Sequence, residues 1–155
     1  MNISEALRET CVIADLKGET KEEILRELVF SLKEIGLIEH VEEAVKVILD
    51  REKLGSTGIG DGVAIPHGKM KKLQNVLCAF GRSSKGIDFG AVDGQPVRIF
   101  FLLLAPEEST GLHLKMLSRI SRIVRDASFR KKLMEEVNTL QVYKDIVEED
   151  KKFSG

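Results

Sequence analysis

The chain has 155 residues, 43% of them hydrophobic and 32% charged, with 24 Lys plus Arg against 25 Asp plus Glu. That length and mix fit one globular domain with a real core and exclude a disordered chain. The near-neutral balance argues against a dedicated nucleic-acid binder, which carries a basic excess, and the longest apolar run, residues 99–105, is far too short to span a bilayer.

The N-terminus lacks a basic segment followed by a long apolar core, so it is not a secretory signal, and a cytoplasmic location is expected. Thr20 and Glu23 form a Thr-x-x-Glu capping pattern. Ile24, Leu25, Leu28, Leu32 and Ile35 follow at helical spacing, and Gly36 supplies the stop. A second helix is predicted over 41–54, buried through Val41, Ala44, Val45, Ile48 and Leu49 and ended by Gly55. His40 falls in the polar turn between the two helices and reads as exposed.

The middle of the chain reads as strands over 63–65, 76–80 and 97–105. The last has almost no polar interruption after Arg98 and is expected to be a central strand buried on both faces. Asp93-Gly94 marks a turn before it. Helices return after Pro106: one over 111–125 through Leu117, Ile120, Ile123 and Val124, one opened by Ser128 through Phe129, Leu133 and Val137, and one capped by Thr139 through Leu140, Tyr143 and Ile146. The closing residues from Asp150 are expected to fray, giving a domain over 1–150 and a tail over 151–155. The fold class is α/β, a single domain whose mixed sheet is flanked by helices on both faces. Cys11 and Cys78 lie far apart in apolar stretches and read as two buried thiols.

The most informative segment is 55–68, Gly-Ser-Thr-Gly-Ile-Gly-Asp-Gly-Val-Ala-Ile-Pro-His-Gly. Glycines let backbone N–H groups turn toward an anion, and hydroxyls and the upstream Arg51 guanidinium add donors. The glycines alone are equally an ordinary connection. The helix precedes them and the strand follows, the reverse of the dinucleotide fingerprint, and no Walker A pattern is present. His67 changes the weighing, because neutral imidazole is a good nucleophile near pH 7 and Pro66 fixes its approach. His113 stands at the start of the helix after the central strand, where anion sites form. Lys69, Lys71 and Lys72, and the stripe Arg119, Arg122 and Arg125, read most simply as solvated faces, or as a docking patch for an acidic partner. None of the three histidines has i, i+4 spacing and no cysteine pair supports them, so no metal site is expected. No Gly-x-Ser-x-Gly elbow is present.

Taken together, Arg51-Glu52, Ser56-Thr57-Gly58-Ile59-Gly60 and Gly62-Val63-Ala64-Ile65-Pro66-His67-Gly68 resemble the enzyme IIA proteins of the bacterial phosphotransferase system, in the fructose/mannitol/nitrogen-regulatory class. The resemblance continues through Gly94-Gln95-Pro96-Val97, the run from Phe101 to Pro106, and His113-Leu114. It implies that His67 accepts a phosphoryl group from the phosphocarrier protein HPr and passes it to a cysteine on a IIB domain or protein during fructose-type sugar uptake. It further implies that His113 orients or stabilises that group, that Arg51 stands beside it, and that no metal, nucleotide or other cofactor takes part. Ser56, Thr57, Gly58, Gly60 and Gly68 are the expected phosphate-binding positions. The IIB phosphocysteine motif and the IIC membrane segments are absent from these residues. A nitrogen-regulatory relay, in which the state of His67 controls binding to target proteins, uses the same site. A passive anion-binding module, in which His67 never turns over, is the third reading.

A partner bearing phosphohistidine must approach closely, so His67 is expected at the surface, inside an apolar rim that keeps water from the N–P bond.

Overall fold

The computed structural model describes residues 1–153; Ser154 and Gly155, the end of the expected tail, lie outside the described residues. After a short 3₁₀ turn (Ile3–Glu5), the elements are β1 (Leu7–Ile13), α1 (Lys21–Glu34), α2 (Val41–Glu52), β2 (Gly58–Gly60), β3 (Val63–Ala64), β4 (His67–Met70), β5 (Leu77–Ile87), β6 (Val97–Pro106), α3 (Thr110–Ile123), α4 (Ala127–Glu135) and α5 (Thr139–Lys151). No helix among the described residues is long and apolar enough to cross a membrane.

The sheet is mixed, in the order β1-β5-β6-β3-β2, with β4 also paired to β6. β5 and β6 are antiparallel, while β1 on β5, and β3 and β4 on β6, are parallel. β3 takes the first half of one edge of β6, at Ile99 and Phe100, and β4 takes the second half, from Leu103 to Pro106. β6 is buried at every residue from Ile99 onward, as its unbroken apolar run predicts. Each of its large side chains contributes roughly 1.5–3 kcal/mol through burial.

Neighbouring residues of β5 show which helices cover which face. A Cβ on Gly81 would meet Leu16 and Leu28, so Gly81 faces α1. Arg82 points the other way, and its guanidinium donates to the Leu133 carbonyl of α4 at 2.6 Å. α1 and α2 thus pack on one face, and α3, α4 and α5 on the other. Edge-to-face ring pairs fill both layers: Phe89 with Phe100 at 5.4 Å and Phe80 with Phe101 at 5.0 Å. Cys11 and Cys78 are free and buried, and burial holds both thiols above their ordinary range.

Several local expectations are corrected. Thr20 caps α1 by accepting from the Glu23 N–H, but the Glu23 carboxylate accepts from Glu19 N rather than closing the box on Thr20. α4 is opened by Asp126, whose carboxylate accepts from Ser128 N and Phe129 N, and α5 by Asn138 rather than Thr139. A carboxylate and an amide one or two residues upstream reach the free N–H groups better than the hydroxyls do. Val137 is 83% exposed in the link between these helices and Leu140 is 38% exposed, so neither is core.

Asp150 is not frayed. It is buried, accepts from Ile3 N and pairs with Arg119 at 2.8 Å, and Arg119 also donates to Asn2 at 3.1 Å. Arg119 therefore ties the last helix to the first turn instead of lying on a solvated face.

Candidate active site

The segment 55–68 folds as a hairpin followed by a kink. β2 and β3 are antiparallel, joined through Asp61 and Gly62, with φ of 56° and 76°. Two successive left-handed residues are what a type I′ turn demands, and Asp-Gly is a favoured pair for it. The Asp93 carboxylate accepts from Asp61 N at 3.1 Å and holds the tip. After β3 the chain passes Ile65 and Pro66. Proline has no N–H to give a ladder, so pairing with β6 pauses there and resumes at β4, with Leu103 N donating to the Pro66 carbonyl at 2.8 Å.

His67 is the first residue of β4, half-buried on the sheet edge. Its Nδ1 lies 2.7 Å from the Ile65 carbonyl. A carbonyl can only accept, so Nδ1 carries the proton, and Nε2, across the ring, keeps its lone pair. Gly68 points to the opposite face, where a Cβ would come 2.5 Å from Val47 Cγ1; only glycine lets α2 lie this close to β4. Lys69 points to the same side as His67, two residues on.

His113, on the first turn of α3, closes the other wall. It is 4% exposed, its ring meets that of His67 edge-on with centroids 5.2 Å apart, and its Nε2 is buried with no hydrogen-bond partner among the described residues. A cleft of about 370 Å³ opens between α2, β4 and α3. Val47 and Arg51 line it from α2, His67, Gly68 and Lys69 from β4, and Thr110, His113, Leu114 and Leu117 from α3. The apolar rim is thus Val47, Leu114 and Leu117.

Both rings are held below the ordinary histidine range. Burial depresses His67, the hydrogen bond to Ile65 draws it partly back, and the Arg51 charge depresses it further. Burial, with smaller contributions from the His67 and Lys69 charges, pushes His113 down to about 4. An imidazole with an open Nε2 thus sits beside a second imidazole and two cations, Arg51 and Lys69. Arg51 donates to the Gly55 carbonyl at 2.9 Å, which fixes one arm of its guanidinium at the mouth.

The residues expected to react with or bind phosphate divide into two groups. His67, His113, Arg51 and Gly68 come together at the cleft, whereas Ser56, Thr57, Gly58 and Gly60 do not line it. Ser56 donates to the Phe89 carbonyl at 2.8 Å, and the Thr57 hydroxyl donates to the buried Glu52 carboxylate. Gly58 faces Ala91, where a Cβ would approach to 2.8 Å, and Gly60 takes a φ of 94° at the hairpin. These four residues build the hairpin and brace it. Glu52 also accepts from Thr57 N and pairs with Lys21 at 3.0 Å, so it anchors the end of α2 beside Arg51. Lys69 is exposed, as a solvated lysine should be, and it also lines the cleft.

Residues 5–149 match the family described as "Phosphoenolpyruvate-dependent sugar phosphotransferase system, EIIA 2". The chain belongs to this family. It is 43% identical over 144 residues to a nitrogen regulatory protein of Bradyrhizobium diazoefficiens, covering 92% of this chain and 93% of that protein. It is 37% identical over 135 residues to the fructose-specific EIIABC component of Bacillus subtilis, covering 87% of this chain and 21% of that longer protein. The fold superposes on the crystal structure of nitrogen regulatory protein IIA-Ntr from Neisseria meningitidis with a TM-score of 0.87 at 34% identity, covering 93% of this chain and 98% of the other. The EIIA family fold and this six-stranded mixed sheet with five helices therefore agree.

Proposed function

We propose that this EIIA-family chain is a cytoplasmic phosphocarrier in which Nε2 of His67 takes a phosphoryl group from the phosphohistidine of HPr. The donor N–P bond breaks as the bond from Nε2 to phosphorus forms, through a loose, in-line transition state. The attack places positive charge on the His67 ring, and the Ile65 carbonyl, already accepting from Nδ1–H, disperses it. Arg51 meets the phosphoryl oxygens with a guanidinium, and His113 offers its unpartnered Nε2 beside them. The observation that most supports this reading is the hydrogen bond from His67 Nδ1 to Ile65, which frees Nε2 in a cleft lined by a second, orphaned imidazole. No proton has to leave His67 before it attacks, which suits an exchange between two imidazoles of similar energy.

For the output, the similarity to the Bradyrhizobium protein across nearly the whole of both chains favours nitrogen-type regulation, in which the phosphorylated and free forms bind target proteins differently. Transfer to a IIB cysteine in fructose uptake is the second reading, favoured by the similarity to the Bacillus subtilis component. Incubation with enzyme I, HPr and labelled phosphoenolpyruvate tests the carrier step and should give an acid-labile, base-stable label. Passage of that label to a fructose-type IIB protein would favour transport, and its retention would favour regulation. Bound phosphate without covalent label would instead support a passive anion-binding module.

A further inference from the structure

The seam between β4 and α3 carries positive features that no ion pair among the described residues engages. Lys69 Nζ donates to the Thr110 hydroxyl at 2.9 Å, and among the described residues no carboxylate lies within ion-pair distance of it. Thr110 is the first residue of α3, a 14-residue helix whose N-cap, Ser109, makes no side-chain cap bond and whose first turn holds no acidic residue. The free N–H groups and partial positive charge of that turn thus stand beside an ammonium group. His113, in the same turn, contributes a buried Nε2 with no hydrogen-bond partner among the described residues. A helix start, a lysine and an orphaned imidazole around one cleft form the donor set of an anion that is yet to arrive. Strand geometry puts Lys69 on the same side as His67, about 6.6 Å along, within reach of a group built on the imidazole.

We infer that Lys69 is a phosphoryl-binding residue: when His67 is phosphorylated, the Lys69 ammonium turns from Thr110 to the phosphoryl oxygens, and the first turn of α3 supplies the remaining donors. This rests on the phosphocarrier reading and adds to it a residue and a consequence. The Thr110 hydroxyl oxygen loses the donor it accepted from and is free to accept from another, so phosphorylation rearranges the exposed start of α3. The chemistry of His67 would thereby be reported on the surface where a partner docks. Alternative roles for Lys69, such as attracting an acidic donor protein, would leave the phosphorylated state itself unaffected.

The test separates these roles by phosphorylating wild type, Lys69→Met and Lys69→Arg with potassium phosphoramidate, which needs no protein donor. ³¹P NMR and the half-life of the phosphohistidine are then measured. Loss of one charge-assisted hydrogen bond should shorten the half-life or raise the phosphoryl pKa in Lys69→Met, and lower its level of phosphorylation at equilibrium with the protein donor about tenfold. Lys69→Arg should recover most of this. Thermal melts of the unphosphorylated variants should coincide with wild type. If Lys69→Met matches wild type in ³¹P shift, half-life and equilibrium level, the inference is wrong even where wild type labels normally; slower labelling by the protein donor alone would mark a docking role and overturn it equally. If wild-type His67 takes no phosphoryl group from either source, the phosphocarrier reading itself fails.

Discussion

His67 and His113 meet edge to face with ring centroids 5.2 Å apart, one held by the Ile65 carbonyl and the other with an unpartnered Nε2. β4 and α3 bring them together from positions 46 residues apart (113 − 67). Two imidazoles this close favour neutrality in each other, and burial drives both the same way. The site therefore presents an Nε2 lone pair with no proton to remove.

This pairing predicts how stability depends on pH. His113 is pushed down to about 4, well below an unfolded histidine near 6.5, so between those values the unfolded chain binds a proton that the folded chain refuses. Stability is unaffected above about pH 6.5 and falls as pH drops toward 4, by roughly 1.4 kcal/mol per pH unit for one such group. Urea midpoints across this range should fall steeply for wild type and less so for His113→Gln, which cannot titrate. Parallel slopes in the two proteins would place the titrating group elsewhere.

Gly68 predicts a steric coupling between α2 and the strand of His67. A Cβ there would lie 2.5 Å from Val47 Cγ1, too close for either element to stay in place. Gly68→Ala should cost about 1–3 kcal/mol and slow phosphoryl acceptance by displacing His67. Adding Val47→Ala makes room and should recover part of both losses. Denaturant melts and labelling rates of the two single variants and the double variant measure the coupling.

Asp150 predicts that the C-terminal helix is structural to its last turn. The carboxylate is buried against Arg119 and the Ile3 N–H. Asp150→Ala should destabilise the fold by about 3 kcal/mol, because it strands a largely buried guanidinium and an N–H. Hydrogen exchange should show the loss concentrated in the 3₁₀ turn and α5, with the cleft unaltered.

The residues that meet at the cleft were the most readable part of the chain. The Pro-His-Gly string, the upstream arginine and the histidine opening the post-strand helix each had a local reason that could be read without the fold. The long helices and β6 were equally plain, since their periodicity or unbroken apolarity left no alternative. β1 was not, because Arg8, Glu9 and Thr10 interrupt its apolar residues, all three are exposed, and its register shifts between Leu7 and Val12. β4 is only four residues of mixed type and exists because β6 offers an unpaired edge. The Asp61-Gly62 turn was a signal present in the sequence, overshadowed by the reading of the glycines as an anion cradle. Ser56 and Thr57 could not be placed from the sequence. Their partners, the Phe89 carbonyl and Glu52, are brought to them by the tertiary fold and the end of α2.

The central claim is that Nε2 of His67 is the phosphoryl acceptor. The most direct measurement is ¹⁵N-³¹P coupling in protein labelled at histidine and phosphorylated through enzyme I and HPr. A single phosphohistidine is expected, bonded through Nε2, absent from a folded His67→Ala variant and retaining the Nδ1 proton held by Ile65. A phosphoryl group on Nδ1, on His113, or on a His67→Ala protein at wild-type level would contradict it.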